Sequence, residues 1–190
     1  EITALGRNYN YKGEVLIVGA GARVLEQNQI QYVVLEASDR HGGRVKADET
    51  FADGPVDLGA EWIHNLPGIL DVLSGAEGTA AQTELIPYHL EKVCSWNGRR
   101  IKYFRFFPEL YFWFFPEYKF KRSTWYEFIR RHFAQQVQHR IKYDSPVAEV
   151  DYSGGRVQVT TAQGERFVAG KVLTTTSIGV LRSGDVTFVP

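Results

Sequence analysis

The sequence predicts an α/β fold built on a parallel sheet, with a β-meander and a partial helical, aromatic-rich segment beside it. Three observations carry this expectation. First, the apolar run Val15-Leu16-Ile17-Val18 enters a glycine turn, Gly19-Ala20-Gly21, and a second run, Val33-Val34-Leu35, closes on Glu36. Strand, glycine turn, helix and a strand ending in an acid make up a dinucleotide-binding βαβ unit. Second, short β-rich runs crowd residues 147–175, with turn signals at Ser153-Gly154-Gly155 and Ala162-Gln163-Gly164. Third, residues 103–128 hold 14 of the 26 Phe, Tyr and Trp residues of the chain.

Each element has a local reason. Residues 14–18 are short, apolar and bounded by glycines, as a buried strand is. Residues 22–28 read as a short helix with Val24 and Leu25 inward and Arg23, Glu26 and Gln27 outward. Residues 31–37 form the second strand, and 38–45 a glycine-rich loop carrying both charge signs. Residues 53–65 are a loop with Gly54 and Gly59. Residues 67–73 open a short helix, and the small residues of 74–83 mark a flexible stretch. Thr124 is placed to cap a helix over residues 125–140, with Phe128, Ile129, Phe133 and Val137 as its apolar stripe. Residues 147–152, 156–161 and 165–169 form the meander, and 171–175 a strand returning to the main sheet.

Composition excludes several classes. The 190 residues carry 22 basic and 22 acidic side chains, so no nucleic-acid surface is implied. The single Cys94 excludes an internal disulfide and has no evident base partner. No apolar run approaches the roughly 20 residues of a transmembrane span. The polar residues 1–13 lack the apolar core of a signal peptide, which points to a soluble protein in the cytoplasm or a peroxisome rather than a secreted one. His132 and His139 lie seven apart without a third ligand, so no metal site is expected. The chain neither begins with methionine nor contains one, which suggests a fragment, a processed form or a sequence with residues skipped.

Three ordered segments resemble the flavin amine oxidase superfamily, which includes the monoamine, polyamine and spermine oxidases and the histone demethylases related to them. Leu35-Glu36-Ala37-Ser38-Asp39-Arg40-His41-Gly42-Gly43-Arg44 is similar to its LEA-x-D-R-x-GGR signature. The stretch from Asp57 through Gly59-Ala60-Glu61-Trp62-Ile63-His64 is similar to its D-x-G-A-x-W-I-H loop. The stretch from Val172 to Leu181 with Val186 to Pro190 is similar to its V-x-x-T-x-P-L-G-V-L…I-x-F-x-P strand.

The resemblance implies a Rossmann-like FAD-binding domain over residues 14–66 and 143–190, and part of a substrate domain over 67–142. FAD is the implied cofactor. Gly19 and Gly21 would face its pyrophosphate, and Glu36 the adenosine ribose. Within the signature Ala37 and Arg40 belong to the same cofactor loop, and Gly42 and Gly43 let that loop pass close to the cofactor. Arg44 can donate to the pyrophosphate through its planar fork, or pair with Asp39 or Glu49 at the surface. The backbone of Val147 matches a position against adenine, and Val147 reads equally as an ordinary strand residue. Gly59, Ala60, Glu61 and Trp62 would lie beside the isoalloxazine ring. His64 matches the mouth of the amine channel, or is a structural loop histidine.

The implied reaction is hydride transfer from the carbon beside a neutral amine to flavin N5, followed by imine hydrolysis and reoxidation by O2 to give H2O2. An amine or polyamine and O2 are thus the expected small-molecule partners. The chain departs from the pattern in two ways. Val24 stands where a third glycine belongs, and Glu36 follows Gly19 by 17 positions where about 20 are usual. The helix reads as though its first turns, with their pyrophosphate-facing N–H groups, were removed. The part of the family that supplies the second flavin motif, the lysine near N5 and the aromatic pair around the amine has no counterpart here, so no catalytic residue is assigned. Another FAD enzyme, such as an amino-acid oxidase or desaturase, and a non-catalytic remnant acting by binding or oligomerisation, stand as alternatives. The aromatic-rich segment reads as core packing, and as a self-association surface if its cover is lacking.

Overall fold

A computed structural model describes residues 15–18, 22–64, 68–76, 78–79, 83–87, 94–103 and 117–190. Gly19 and Gly21, the first strand residue expected at 14, and residues 104–116 of the aromatic-rich segment lie outside them. In chain order the strands are β1 (Val15–Val18), β2 (Tyr32–Leu35), β3 (Ala47–Asp48), β4 (Val56–Asp57), β5 (Ile63–His64), β6 (Leu85–Pro87), β7 (Cys94–Trp96) and β8 (Ile101–Tyr103). They continue as β9 (Glu117–Phe120), β10 (Ile141–Lys142), β11 (Val147–Asp151), β12 (Val157–Thr161), β13 (Arg166–Ala169), β14 (Lys171–Thr174) and β15 (Thr187–Val189). The chain divides into two compact units: Glu1–Gly43 with Arg130–Pro190, and Arg44–Ile129.

The first unit is α/β. Its main sheet runs β10-β2-β1-β14, and every neighbouring pair is parallel. Both faces of β2 are covered, so all four of its residues are buried, as in parallel sheets generally. Strand alternation divides them. Leu16, Val33 and Leu35 join Val147, Val150, Val159, Phe167 and Ala169 in one cluster. Ile17, Tyr32 and Val34 join Ala22 and Val137 in the other. The meander forms a second sheet, β13-β12-β11-β15, with antiparallel hairpins and β15 parallel at its edge. The expected return of residues 171–175 to the main sheet is observed: β14 pairs in register with β1.

The helix after β1, α1 (Arg23–Gln27), has only five residues. One turn presents a single inward face, so Leu25 packs on the second cluster while Val24 is 67% exposed. The expectation that Val24 points inward is therefore corrected. Glu26, expected outward, instead accepts a 2.6 Å hydrogen bond from the buried Tyr32 hydroxyl. Burial and this carboxylate push the Tyr32 phenol above its usual range.

In the second unit β5-β9-β6 form an antiparallel sheet, and β3-β4 and β7-β8 form two-stranded ladders. The short helix α2 (Ile69–Ser74) ends on Gly75 at φ 71°. Residues 125–140 are helical as expected, and the Thr124 hydroxyl caps them by accepting from Glu127 N at 3.1 Å. The helix is not uniform. It begins as α (Trp125–Ile129), passes through a π turn (Arg130–Ala134), and ends in α (Gln135–Val137) and 3-10 (Gln138–Arg140) turns. The wider turn re-phases the apolar stripe. Phe128 packs against Phe120 and Trp125, and Val137 belongs to the second cluster of the first unit.

Candidate functional site

In the first unit the parallel sheet delivers Glu36 to the end of β2, beside β1, which Gly19-Ala20-Gly21 follow in the sequence. Backbone bonds hold it from both sides. Glu36 N donates to Lys142 O at 2.9 Å, Ser145 N to Glu36 O at 2.9 Å, and Asp144 N to Ser38 O at 3.1 Å. Asp144 sits at φ 51°, a left-handed conformation that Asp tolerates. The Glu36 carboxylate is half-buried. Its Oε1 accepts from Ser38 N at 3.1 Å and from Ser38 Oγ at 2.8 Å. Its Oε2 has no hydrogen-bond partner among the described residues. The lacing of residues 36–38 to 142–145 also brings the start of β11, with Val147, towards Glu36. The Val147 side chain is buried in the first cluster.

The loop after Glu36 is shaped by its own residues. Arg40 donates to His41 O at 3.0 Å and to Gly43 O at 2.8 Å, so its guanidinium braces the turn. Gly42 and Gly43 have φ of 98° and 53°. This conformation alone requires glycine, and a Cβ on Gly43 would meet nothing within 4 Å. Ala37 is exposed. Tyr143, which no motif marks, pins the loop: its hydroxyl lies 3.2 Å from His41 Nδ1. Burial, then the Arg130 and Arg40 cations, hold the His41 imidazole below its ordinary value, so the ring is neutral at pH 7.

The second unit gathers the other motif residues. Arg44 is exposed and makes no ion pair with Asp39, Glu49 or any other described residue. Its carbonyl lies where a Cβ on Gly59 would stand, which is why position 59 is glycine. Leu58 N donates to Lys46 O at 2.8 Å, joining the same two segments. Asp57 turns its carboxylate to the start of the helix, accepting from Trp125 N at 3.2 and 3.3 Å. Burial, against the hydrogen bond from Trp125, raises the Asp57 pKa to about 6. The Trp125 indole donates to Trp62 O at 3.1 Å. Ala60 is exposed, and Glu61 pairs with Lys119 at 3.3 Å.

His64 projects from β5 with its side chain 74% exposed, its Nδ1 2.8 Å from Oε2 of the buried Glu117 on β9. The Trp62 ring stands 6.0 Å from the imidazole. Glu117 carries no motif; the strand pairing His64↔Glu117 alone brings it there. No group of three or more His, Cys, Asp or Glu able to hold a metal occurs among the described residues, and His139 lies instead 3.8 Å from Glu26. No described helix is long and apolar enough to cross a membrane.

Comparison with known proteins adds the family. The chain is 45% identical over 58 residues to polyamine oxidase 2 of Arabidopsis thaliana, covering 27% of this chain and 12% of that enzyme. It is 25% identical over 269 aligned positions to lysine-specific histone demethylase 2 of Homo sapiens, covering 98% of this chain and 32% of the demethylase. The chain thus spans a third or less of the length of these relatives. A putrescine oxidase structure bound to putrescine superposes with a TM-score of 0.66 at 14% identity, over 95% of this chain and 61% of that one, which shows a shared fold. Residues 20–111 and 118–190 match the flavin containing amine oxidoreductase family, and the chain belongs to that family, whose cofactor is FAD.

Proposed function

We propose that this chain is the cofactor-anchoring part of an FAD-dependent amine oxidase acting on polyamine-like substrates. Residues 14–66 and 143–190 would serve the cofactor, and residues 67–142 the substrate side. The observation that carries the reading is Glu36: a carboxylate at the end of a parallel strand, clamped through one oxygen and free to accept through the other. The donor set fits FAD. Glu36 Oε2 is an acceptor for ribose hydroxyls. The unpaired Arg44 guanidinium is a donor for phosphate oxygens. Gly43 leaves open space beside the loop backbone.

Bound flavin supplies the two-electron acceptor for amine oxidation. The protein's own residues bind and orient. Arg40 and Tyr143 hold the 38–43 loop in shape, Asp57 and Trp125 hold the loop bearing Gly59, Ala60, Glu61 and Trp62, and His64 with Glu117 presents a polar pair suited to a cationic amine. The test is FAD titration of the purified chain, followed by flavin absorbance and peroxide release with spermine, spermidine and putrescine. Flavin binding that weakens in Arg44→Ala is the expected result. Amine-dependent bleaching would show that the chain carries a working amine site as well, and absence of flavin binding overturns the cofactor assignment.

A further inference from the structure

The β7–β8 hairpin belongs to neither motif loop, and its surface composition is unusual for this chain. Its tip is closed by hydrogen bonds. Asn97 Oδ1 accepts from Arg99 N and Arg100 N, both at 3.1 Å, Asn97 N donates to Arg100 O, and Gly98 supplies φ 87°. Register pairs Trp96 with Ile101 directly across the ladder, so the two share a face. Both are open to solvent, at 64% and 54% exposure. Arg99 and Arg100 are exposed in the turn beside them, Lys102 is exposed on the opposite face of the ladder, and among the described residues none makes an ion pair. Residues 94–103 contain three Lys and Arg and no Asp or Glu, in a chain whose net charge is zero.

From this we propose that the hairpin tip is a docking surface for an anionic lipid bilayer. An indole beside an aliphatic side chain, next to a turn bearing two arginines, matches the headgroup boundary: the ring and the isoleucine enter the apolar edge while the cations meet lipid phosphates and carboxylates. A nucleic acid is a poorer fit. Arg and Trp suit a phosphate backbone and stacked bases, but Ile101 offers neither a donor nor a ring.

The experiment is co-sedimentation of the full chain with vesicles of phosphatidylcholine alone, and of phosphatidylcholine with about a third phosphatidylserine. Binding to the serine-containing vesicles is expected, with little to phosphatidylcholine alone and loss on raising salt. R99E/R100E should weaken it by at least about tenfold. Trp96→Ser should weaken it while Trp96→Phe largely retains it. Circular dichroism checks that the variants fold; if one does not, the salt series on the unaltered chain decides. Equal binding to both vesicles, insensitivity to salt, wild-type binding by R99E/R100E, or a single-stranded RNA bound more tightly than vesicles each overturns the proposal.

Discussion

The end of β2 and the loop from Asp57 to His64 hold motif residues by different physical means. Glu36 is fixed by backbone bonds of a buried parallel sheet and by Ser38, two residues away. The Asp57–His64 loop is fixed by side chains meeting residues far along the chain: Asp57 with Trp125, Glu61 with Lys119, His64 with Glu117. A backbone-held site tolerates side-chain change and fails when the core fails. A side-chain-held site fails one contact at a time and responds to pH.

The largest effect is expected from the first region. Phe167→Ala removes a fully buried ring from the cluster under β1 and β2 and should cost about 3–5 kcal/mol in chemical denaturation. A loss under about 1 kcal/mol would show that the sheet is not what holds Glu36. Next, Gly59→Ala places a Cβ on the Arg44 carbonyl, a backbone group that no side-chain rotation can move aside. It should destabilise by about 1–3 kcal/mol. Wild-type stability would mean the two segments separate easily.

Glu36→Ala should leave the melting temperature nearly unchanged and weaken FAD about tenfold by fluorescence titration, the equivalent of about 1.4 kcal/mol. Equal affinity would remove Glu36 from the cofactor site. Asp57 sharpens the contrast through pH. Its folded pKa, about 6, lies above the ordinary 3.8, so the folded state holds the proton more tightly. The stability it contributes is fully present below pH 3.8 and lost as pH rises through 6. With solvent screening of a half-exposed carboxylate, the change is about 1 kcal/mol. Asp57→Asn should flatten that part of the pH–stability curve, and an unchanged slope would exclude Asp57 as its source. The smallest effect is His64→Ala, expected to alter stability by less than about 0.5 kcal/mol because the ring is exposed. On the proposed function it should instead weaken binding of a polyamine, read by calorimetric titration. A stability loss above about 1 kcal/mol would make His64 a structural loop residue.

Legibility in the sequence follows the same division. The strand at 32–35, the capped helix after Thr124, the meander and the return of β14 were readable because local pattern and backbone pairing act together there. The outward placement of Val24 was not, because a helix of one turn has too few residues to define a wide face. The π turn at 130–134 was also hidden: its extra residue per turn breaks the 3.6 period the stripe assumes.

By itself the sequence determined the α/β class, the order of the βαβ unit and the three family segments, since apolar periodicity, glycine turns and motif spacing are written along the chain. Only the tertiary structure decided that Gly59 yields to the Arg44 carbonyl, that Tyr143 reaches His41, and that Glu117 lies beside His64. Those contacts join residues 15 to 102 positions apart. No local pattern encodes them, because strand register and burial bring them together only once the chain has folded.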